Sequence, residues 1–550
     1  MTTTTSPVAG PSPHGPLREG PWLTTTDHKR IGLLILGTAF VIFFAMGLLA
    51  MTMRTQLAQP GMKILTAARF DQFFTIHGSG MIYLAITPFA IGIGVYLVPL
   101  QVGAPSISWP RLCLFAYWLY AGGSAVMLSG FLTTQGAASA GWFAYVPLSS
   151  STYTPGLGMD YWVIGAALSA ISMIMLASAV LWTAFSMRTP QMTLMRIPVF
   201  TWTMIVSCLM TITAFPALLG ALGIIAIGRG DPGIFKYNAV NIAYQHLFWF
   251  YGHPVVYVMF FPFVGCVAEV ISTFSGRRFF GYKGTVISLM LFSAMSMSVW
   301  GHHMFATGQV TNDYYSVTST LLMIPAGLEY FGLLGTLIGG SIRFTTPMLF
   351  ALAFIPQFLV GGITGIMLGS PVLDYHLEDS YFVVAHFHYT LFAGSVFGFM
   401  AGVYYWFPKA TGYMLGDRLG KLHFVLMTIG TNVTFLPMFV LGYLGMPRRV
   451  ATYPKHAGFA TLNLISTAGS YVIGLSMLAF LANILLSVRH KRRATADPWG
   501  GHSLEWATSS PPPVLNFSGP LPEIRSFAPL LDAASSSASS NRSELSEEPA

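Results

Sequence analysis

The sequence predicts an all-α membrane protein with twelve transmembrane helices. Of its 550 residues, 54% are apolar and only 8% are charged, and the mean hydropathy is +0.62. Soluble domains carry about 25% charged residues, so this composition is typical of a polytopic membrane protein. Twelve apolar runs are each long enough to cross a bilayer. These runs lie near residues 31–53, 74–100, 114–133, 161–186, 198–228, 244–272, 285–306, 316–340, 348–369, 382–406, 423–445 and 466–487.

The distribution of basic residues predicts the orientation of the chain. An even number of spans puts both termini on one side of the membrane, and that side carries most of the Lys and Arg residues. The positive-inside rule therefore predicts that both termini are cytoplasmic, in the inner membrane of the cell. The net charge of +8 then reflects topology and not nucleic-acid binding.

We expect three regions along the chain. Residues 1–26 are polar and lack the apolar core of a signal peptide, which predicts a flexible cytoplasmic arm. Residues 27–495 form the twelve-helix domain. Residues 496–550 are rich in Ser, Pro and Ala and end acidic, so we expect a disordered tail. The three cysteines form no CxxC pair, which predicts neither a disulfide framework nor a thiolate metal site.

Two histidines one residue apart, His386 and His388, lie at the start of the tenth span. On an α-helix, residues i and i+2 point roughly 200° apart, so one span presents these imidazoles on opposite flanks. An imidazole in hydrocarbon is costly unless it is coordinated or hydrogen-bonded. Two unrelated structural histidines are the simpler reading of this pair taken alone.

Four more histidines lie at membrane depth on three other spans. They are His77, His253 in the motif Trp-Phe-Tyr-Gly-His-Pro-Val-Val-Tyr, and the adjacent His302 and His303. Neutral imidazole is a preferred ligand of copper and haem iron. Six imidazoles are enough for two axial ligands on one haem, one on a second haem, and three on a copper ion. Iron with two histidines suits electron transfer, whereas iron with one keeps an open position for a gas.

Together, these motifs resemble the catalytic subunit of the haem–copper oxidase superfamily, closest to subunit I of cytochrome c oxidase. The similarity runs from about residue 22 to about residue 490, and its most specific motifs are His-Pro-x-x-Tyr, Trp-Gly-His-His and Val-Ala-His-Phe-His-Tyr. The resemblance implies the twelve-helix bundle of that family. It assigns the histidines to three groups, with His77 and His388 on a low-spin haem, His386 on a high-spin haem, and His253, His302 and His303 on copper.

The resemblance also assigns residues around these groups. Tyr257 matches a tyrosine that the family links covalently to the first copper histidine and uses as an electron and proton donor to oxygen. The other matches are Arg54 at the edge of the low-spin haem, Trp142, Tyr145, Arg448 and Arg449 at the haem propionates, and Glu378 and Asp379 at a magnesium or manganese site. The family has a histidine where this chain has Glu378.

The departures from the family pattern all concern proton delivery. Val255 replaces the glutamate of His-Pro-Glu-Val-Tyr, Ser106 replaces the aspartate of Gly-Ala-Pro-Asp, and Glu329 stands where the family has a lysine. A buried carboxyl group must be neutral or partnered, and such groups serve proton relays. Glu329 and Glu269 are therefore candidate proton-path groups, with a structural role as the alternative. We expect the usual inlets to be absent and pumping to be reduced or routed differently.

The leading function is a terminal respiratory oxidase that reduces O2 to water. By resemblance, its electrons come from cytochrome c, and its partners are a subunit II with a dinuclear copper site and a subunit III. A nitric-oxide-reductase-like enzyme on the same fold is one alternative, which Tyr257 disfavours. A transporter or haem carrier is another, which the lack of a sequence repeat disfavours. The sequence leaves open a quinol donor and the haem type, with a-type haems favoured.

Overall fold

The computed structural model describes residues 21–536. Over that range the chain is helical, with two isolated bridges in place of any strand, and twelve of its helices are long and apolar enough to cross a membrane. The predicted fold class is therefore confirmed. Numbered α1–α12 in chain order, the spans are His28–Gln56, Ala67–Gln101, Pro110–Leu132, Gly158–Ser186, Val199–Gly230, Asn238–Ser275, Tyr282–Thr307, Asn312–Leu337, Thr346–Leu368, Tyr381–Thr411, Asp417–Tyr443 and Ala460–His490.

The burial of each span follows its place in the bundle. The most apolar 18-residue stretches of α2 and α6 are almost entirely buried inside the protein, whereas only 28% of the corresponding stretches of α1 and α12 is buried. Large apolar side chains such as Val41 and Leu485 are 70% exposed, as expected for surfaces that face lipid. The central spans α2 and α6 carry His77 and His253. Two of the six candidate ligands thus lie on the spans whose apolar stretches are the most buried.

The spans that carry histidines depart from regular α-helical geometry close to those histidines. In α2 a π-helical segment, Gly80–Ile86, follows His77, and in α10 a second π-helical segment, Leu391–Val396, follows His388. The end of α7, Trp300–Thr307, is a run of 3₁₀ turns that contains the adjacent histidine pair. Such irregular turns are frequent at functional sites because they re-aim side chains.

Most of the predicted N-terminal arm is not described by the structure, whereas all three cysteines are. Residues 1–20 lie outside the described residues, and the rest of the arm contains one short turn, Trp22–Thr24. Cys113, Cys208 and Cys266 are buried and free, so they form no disulfide, as the sequence predicted.

Residues 496–536 of the tail are ordered, whereas the sequence predicted disorder. It lies across the face of the bundle where the described part of the chain begins, and its short helix Leu504–Ala507 is buried at three of four residues. Asn516 is fully buried, where its side-chain oxygen accepts hydrogen bonds from Lys29 and contacts His28, both at 3.0 Å. Residues 537–550, the acidic end of the predicted tail, lie outside the described residues.

The tail is ordered because the helix ends supply its hydrogen-bond partners. Lys409, at the end of α10, donates to the carbonyl oxygens of Ala496 at 2.9 Å and Thr508 at 2.7 Å. A polar segment with little apolar surface cannot order itself by hydrophobic burial alone. Composition predicts disorder here because these partners are assembled only when the bundle folds.

Candidate metal centre

Three histidine side chains from two spans converge inside the bundle. Nδ1 of His253 lies 3.3 Å from Nε2 of His303, and Nε2 of His302 lies 3.1 Å from the same atom. With metal–nitrogen bonds of about 2.0–2.1 Å, ligands on one ion stand about 3.3–3.6 Å apart. Among the described residues, this is the group that brings three potential ligand atoms within 4.8 Å of one another. The donor set and its spacing fit a copper ion.

Neighbouring side chains fix the rings of this cluster. Nδ1 of His302 lies 2.7 Å from the hydroxyl oxygen of Ser319 on α8, and the ring of His303 stacks on Trp249 with the centroids 4.1 Å apart. Partners of this kind hold a ligating imidazole in one orientation and tautomer. Sequence reasoning missed both partners. Trp249 lies one turn before His253 in the same motif, which is a usable signal, whereas Ser319 belongs to no motif.

Tyr257 and Glu329 lie beside the cluster. The ring centroid of Tyr257 is 4.7 Å from that of His253, and Nε2 of His253 is buried without a hydrogen-bond partner. The cluster uses Nδ1 of His253, so Nε2 is the nitrogen left for the covalent link that the resemblance implies. Glu329 on α8 is 4% exposed and its Oε1 has no partner; its neighbours Ala326 and Tyr330 line the same cavity as Tyr257. An unpartnered buried carboxyl oxygen favours a neutral acid at this position.

The two histidines of α10 face opposite flanks, as the helical geometry predicts. Nδ1 of His386 lies 3.1 Å from the hydroxyl oxygen of Thr364 on α9, and His386 lines the same cavity as His253 of the cluster. The ring of His388 stacks on Phe435 of α11 with the centroids 4.2 Å apart. A single helix therefore separates two imidazole environments.

His77 and His388 make the same hydrogen bond. Nδ1 of His77 lies 2.9 Å from the carbonyl oxygen of Met46, and Nδ1 of His388 lies 2.8 Å from that of Val384. A carbonyl oxygen only accepts, so each Nδ1 carries the proton and each Nε2 keeps its lone pair. This is the tautomer that a metal-binding imidazole requires.

All six histidines line one cavity of about 1430 Å³. A site for one small ligand typically measures about 300–1,000 Å³, so this cavity has room for more than one such group. Arg54 also lines it and is 8% exposed. One terminal nitrogen of Arg54 donates to the backbone and side-chain oxygens of Asn463 at 3.0 and 2.9 Å, while Nε and Nη1 have no partner. Buried N–H groups left unsatisfied are costly, so they fit an acceptor on a bound group such as haem.

Two arginines and one carboxylate form the opposite wall of the cavity. Nε of Arg448 donates to Asp379 at 2.7 Å, and Arg449 lies 3.9 Å from the same oxygen. Trp142 and Phe143 pack nearby, with the guanidinium of Arg449 4.2 Å from the Phe143 ring centroid. Two guanidinium groups beside this carboxylate offer the donor geometry that suits propionate groups. Burial and the neighbouring Arg448 lower the pKa of Arg449 to about 10.

Three carboxyl groups line the cavity at this wall. Asp379 forms an ion pair with Arg448. Burial alone would raise the pKa of Asp379, but the charges of Arg448 and Arg449 outweigh that effect, so its pKa is lowered. Burial, together with Asp379, raises the pKa of Glu378, whose Oε2 has no partner. Asp374, which sequence reasoning missed, is a third member, and burial raises its pKa to about 8.

The other proton-path positions are buried as well. Glu269 lies near the C-terminal end of α6 and is 7% exposed. Its Oε1 accepts a hydrogen bond from the backbone N–H of Phe200 at 3.3 Å. Val255 is fully buried, and the hydroxyl of Ser106 is buried without a partner. The two positions at which the family has an inlet carboxyl therefore hold Val255 and Ser106 instead.

Known proteins resemble this chain along most of its length. A family model described as "Cytochrome C and Quinol oxidase polypeptide I" matches residues 30–472. Cytochrome c oxidase subunit 1 of Corynebacterium efficiens is 46% identical over 530 residues, which cover 95% of this chain and 91% of the relative. A putative cytochrome c oxidase subunit 1-beta of Streptomyces coelicolor is 46% identical over 516 residues, covering 93% and 90%. A solved heme-copper terminal oxidase dimer shares the fold, with a TM-score of 0.67, 17% identity and coverage of 83% and 84%.

Proposed function

This chain belongs to the cytochrome c and quinol oxidase polypeptide I family, and on that premise we propose that it is the catalytic subunit of a terminal respiratory oxidase that reduces O2 to water. The observation that carries the proposal is the three-histidine cluster with the Tyr257 ring beside it. Reduction of nitric oxide needs no such phenol donor. A transporter or a haem carrier would not need a three-histidine cluster beside a tyrosine.

We assign His77 and His388 to a low-spin haem, His386 to a high-spin haem, and the cluster to copper. When bound, these groups supply electron transfer at the doubly ligated iron and O2 binding at the singly ligated iron. The hydrogen bonds of the ring Nδ1 atoms hold the imidazoles in place. Because His386 and His388 lie on opposite flanks of α10, the two haem sites would be separated by this single helix, and electrons would have a short path between them. The unpartnered nitrogens of Arg54 suit the formyl group of an a-type haem.

Tyr257 and Glu329 donate and return the proton that the reaction with oxygen requires. The phenol of Tyr257 donates a proton and an electron during cleavage of the O–O bond. Glu329 is a buried carboxyl group with an unpartnered oxygen, on the stretch of α8 that lines the same cavity as Tyr257, so we assign to it the return of the proton. Because Val255 and Ser106 remove the usual inlet carboxyls, we propose that pumping is reduced or uses another route.

The surroundings of the site follow from the same proposal. A subunit I works with partner subunits in a membrane, and we propose a subunit II with a dinuclear copper site, a subunit III, and cytochrome c as the donor. Both termini are then cytoplasmic, in the inner membrane. Glu378 with Asp374 offers a magnesium or manganese position, whereas Asp379 serves first as the counter-ion of Arg448.

Metal analysis of the purified complex tests the assignment. With the dinuclear copper site of the proposed subunit II added to the one copper ion of this subunit, we expect three copper ions for every two haem irons in the complex, and O2 consumption with reduced cytochrome c. His303→Gln should lose one of these three copper ions and the activity, while both haem signals remain in the reduced-minus-oxidised spectrum. The control is His456→Gln, an exposed loop histidine outside the cavity. Non-haem iron in place of copper, with no O2 consumption, would refute the oxidase in favour of the nitric-oxide-reductase-like enzyme.

A further inference from the structure

The ordered tail places a fully buried carboxyl group, Glu505, against the ends of α2 and α10. We propose that Glu505 is a proton-relay group on this face of the bundle, which takes protons from water and passes them to Glu269 in α6. The proposal rests on the proposed oxidase function, because reduction of O2 to water consumes protons. It adds a residue outside the twelve spans to the machinery of that reaction.

The hydrogen bonds of Glu505 are distributed unevenly over its two oxygens. Oε1 accepts from Nε2 of Gln101 at 3.1 Å, from Nε1 of Trp406 at 3.0 Å and from the hydroxyl of Ser503 at 2.9 Å. Oε2 is buried and has no partner. A carboxylate with one bare buried oxygen is costly when ionised. Oε2 is therefore the atom that binds the proton, while Oε1 holds the side chain in place.

A short chain of contacts joins Glu505 to Glu269. The side-chain oxygen of Gln101 accepts a hydrogen bond from the hydroxyl of Thr201 at 2.7 Å. The preceding residue, Phe200, donates its backbone N–H to Glu269 at 3.3 Å. The two carboxyl groups therefore flank the first turn of α5, and they interact electrostatically with each other.

The charged surroundings leave Glu505 free to exchange its proton. Burial raises the pKa of Glu505, against the opposing effect of its hydrogen-bond donors. Lys409 is the neighbouring cation, but its ammonium group is bound to backbone carbonyls of the tail. Asp497 accepts backbone N–H groups of residues 499–501, and Tyr405 is bound to Thr273. No ion pair among the described residues locks Glu505 in the charged form.

The proposed step moves one proton and no electron. A proton from water binds Oε2 of Glu505, and it then passes through water to the ionised carboxylate of Glu269. Glu505 is left ionised and ready for the next proton. Glu269 lies twelve residues after Tyr257, which is about 18 Å along a helix, so later water-mediated transfers carry the proton on to the cluster.

The test is E505Q in the intact oxidase complex. Glutamine keeps the size and the accepting oxygen but cannot bind a proton. We expect O2 consumption with cytochrome c to fall at least about tenfold, most strongly at alkaline pH, with unchanged haem spectra and copper content. The matched control is Glu523→Gln, which lies exposed in the same tail beside Arg525 and should leave turnover unchanged.

Wild-type turnover and an unchanged pH profile in E505Q would overturn the proposal, because a purely structural acceptor predicts that result. If E505Q does not assemble its haems, E505D takes its place as the test variant, because aspartate keeps the carboxyl group but is shorter by one methylene. The relay then predicts a larger solvent deuterium isotope effect on turnover, and an unchanged isotope effect refutes it. An inactive wild-type complex would refute the oxidase function itself, whereas an active wild type with a normal E505Q refutes only the role of Glu505.

Discussion

Replacing Lys409 with methionine should release the tail from the bundle. The ammonium group of Lys409 donates to the carbonyl oxygens of Ala496, Thr508 and Ser509 at 2.9, 2.7 and 3.2 Å. It also lies 5.1 Å from the ring centroid of Trp506. Methionine fills the space of the side-chain stem but donates nothing, so three carbonyl oxygens lose their partner at once.

The expected loss is about 4 kcal/mol. Hydrogen bonds to a charged group contribute about 1.5–3 kcal/mol each, and simple addition would overestimate three that share one donor. Two of the three bonds are only partly buried, so their carbonyls regain water when the donor is removed. At about 1.4 kcal/mol per tenfold change, the undocked population of the tail should rise about a thousandfold.

Chymotrypsin cleavage after Trp506 measures this population. The side chain of Trp506 is 2% exposed, so cleavage requires the tail to undock, and its rate follows the undocked population when redocking is fast. Lys421→Met is the matched control, because Lys421 lies in an exposed ion pair with Asp417. Cleavage of Lys409→Met at the wild-type rate would refute the view that Lys409 anchors the tail.

Three further predictions concern single contacts. Thr364→Val removes the hydroxyl beside His386 and should weaken haem retention about 10–100-fold, measured by haem transfer to an acceptor protein; unchanged retention would contradict the orienting role. Arg229→Met strands Asp160, whose oxygens accept at 2.6 and 2.9 Å; since Asp160 is 37% exposed, the cost should be about 2–3 kcal/mol, seen as a lower Tm. Burial lowers the pKa of His502 to about 4, so the tail should be fully stable above about pH 6.5 and lose up to about 3 kcal/mol as the pH falls towards 4. Amide exchange of residues 500–530 should follow that curve, and His502→Gln should flatten it.

The spans and their histidines are predictable because each leaves a local signal. A bilayer requires a continuous apolar run, and imidazoles inside such runs stand out against it. The opposite orientation of His386 and His388 follows from helix geometry alone. The partners of these rings leave no such signal. Ser319 and Thr364 bond the carbonyls of their own helix, as hydroxyl residues in spans ordinarily do, and only the fold shows that they also reach a histidine.

The tail shows the limit of composition as a guide to order. Its sequence is polar, and the expectation of disorder assumed that it must order itself by burying its own apolar surface. In the structure, Lys409 and Lys29 donate to it from the spans, and Asn516 in turn donates to the carbonyl of Ala104 at 2.8 Å. These partners lie far away in sequence, so no window along the tail can reveal them.

Electron transfer and proton delivery place different demands on this chain. The residues assigned to electron transfer lie inside the spans, whereas Glu505 reaches the bundle only through a docked tail. If docking by Lys409 and proton transfer by Glu505 belong to one path, Lys409→Met should slow O2 consumption without changing the haem spectra. The double variant of Lys409→Met and E505Q should then be no slower than E505Q alone, because the tail has no relay group left to position. Independent losses that multiply in the double variant would separate docking from proton delivery.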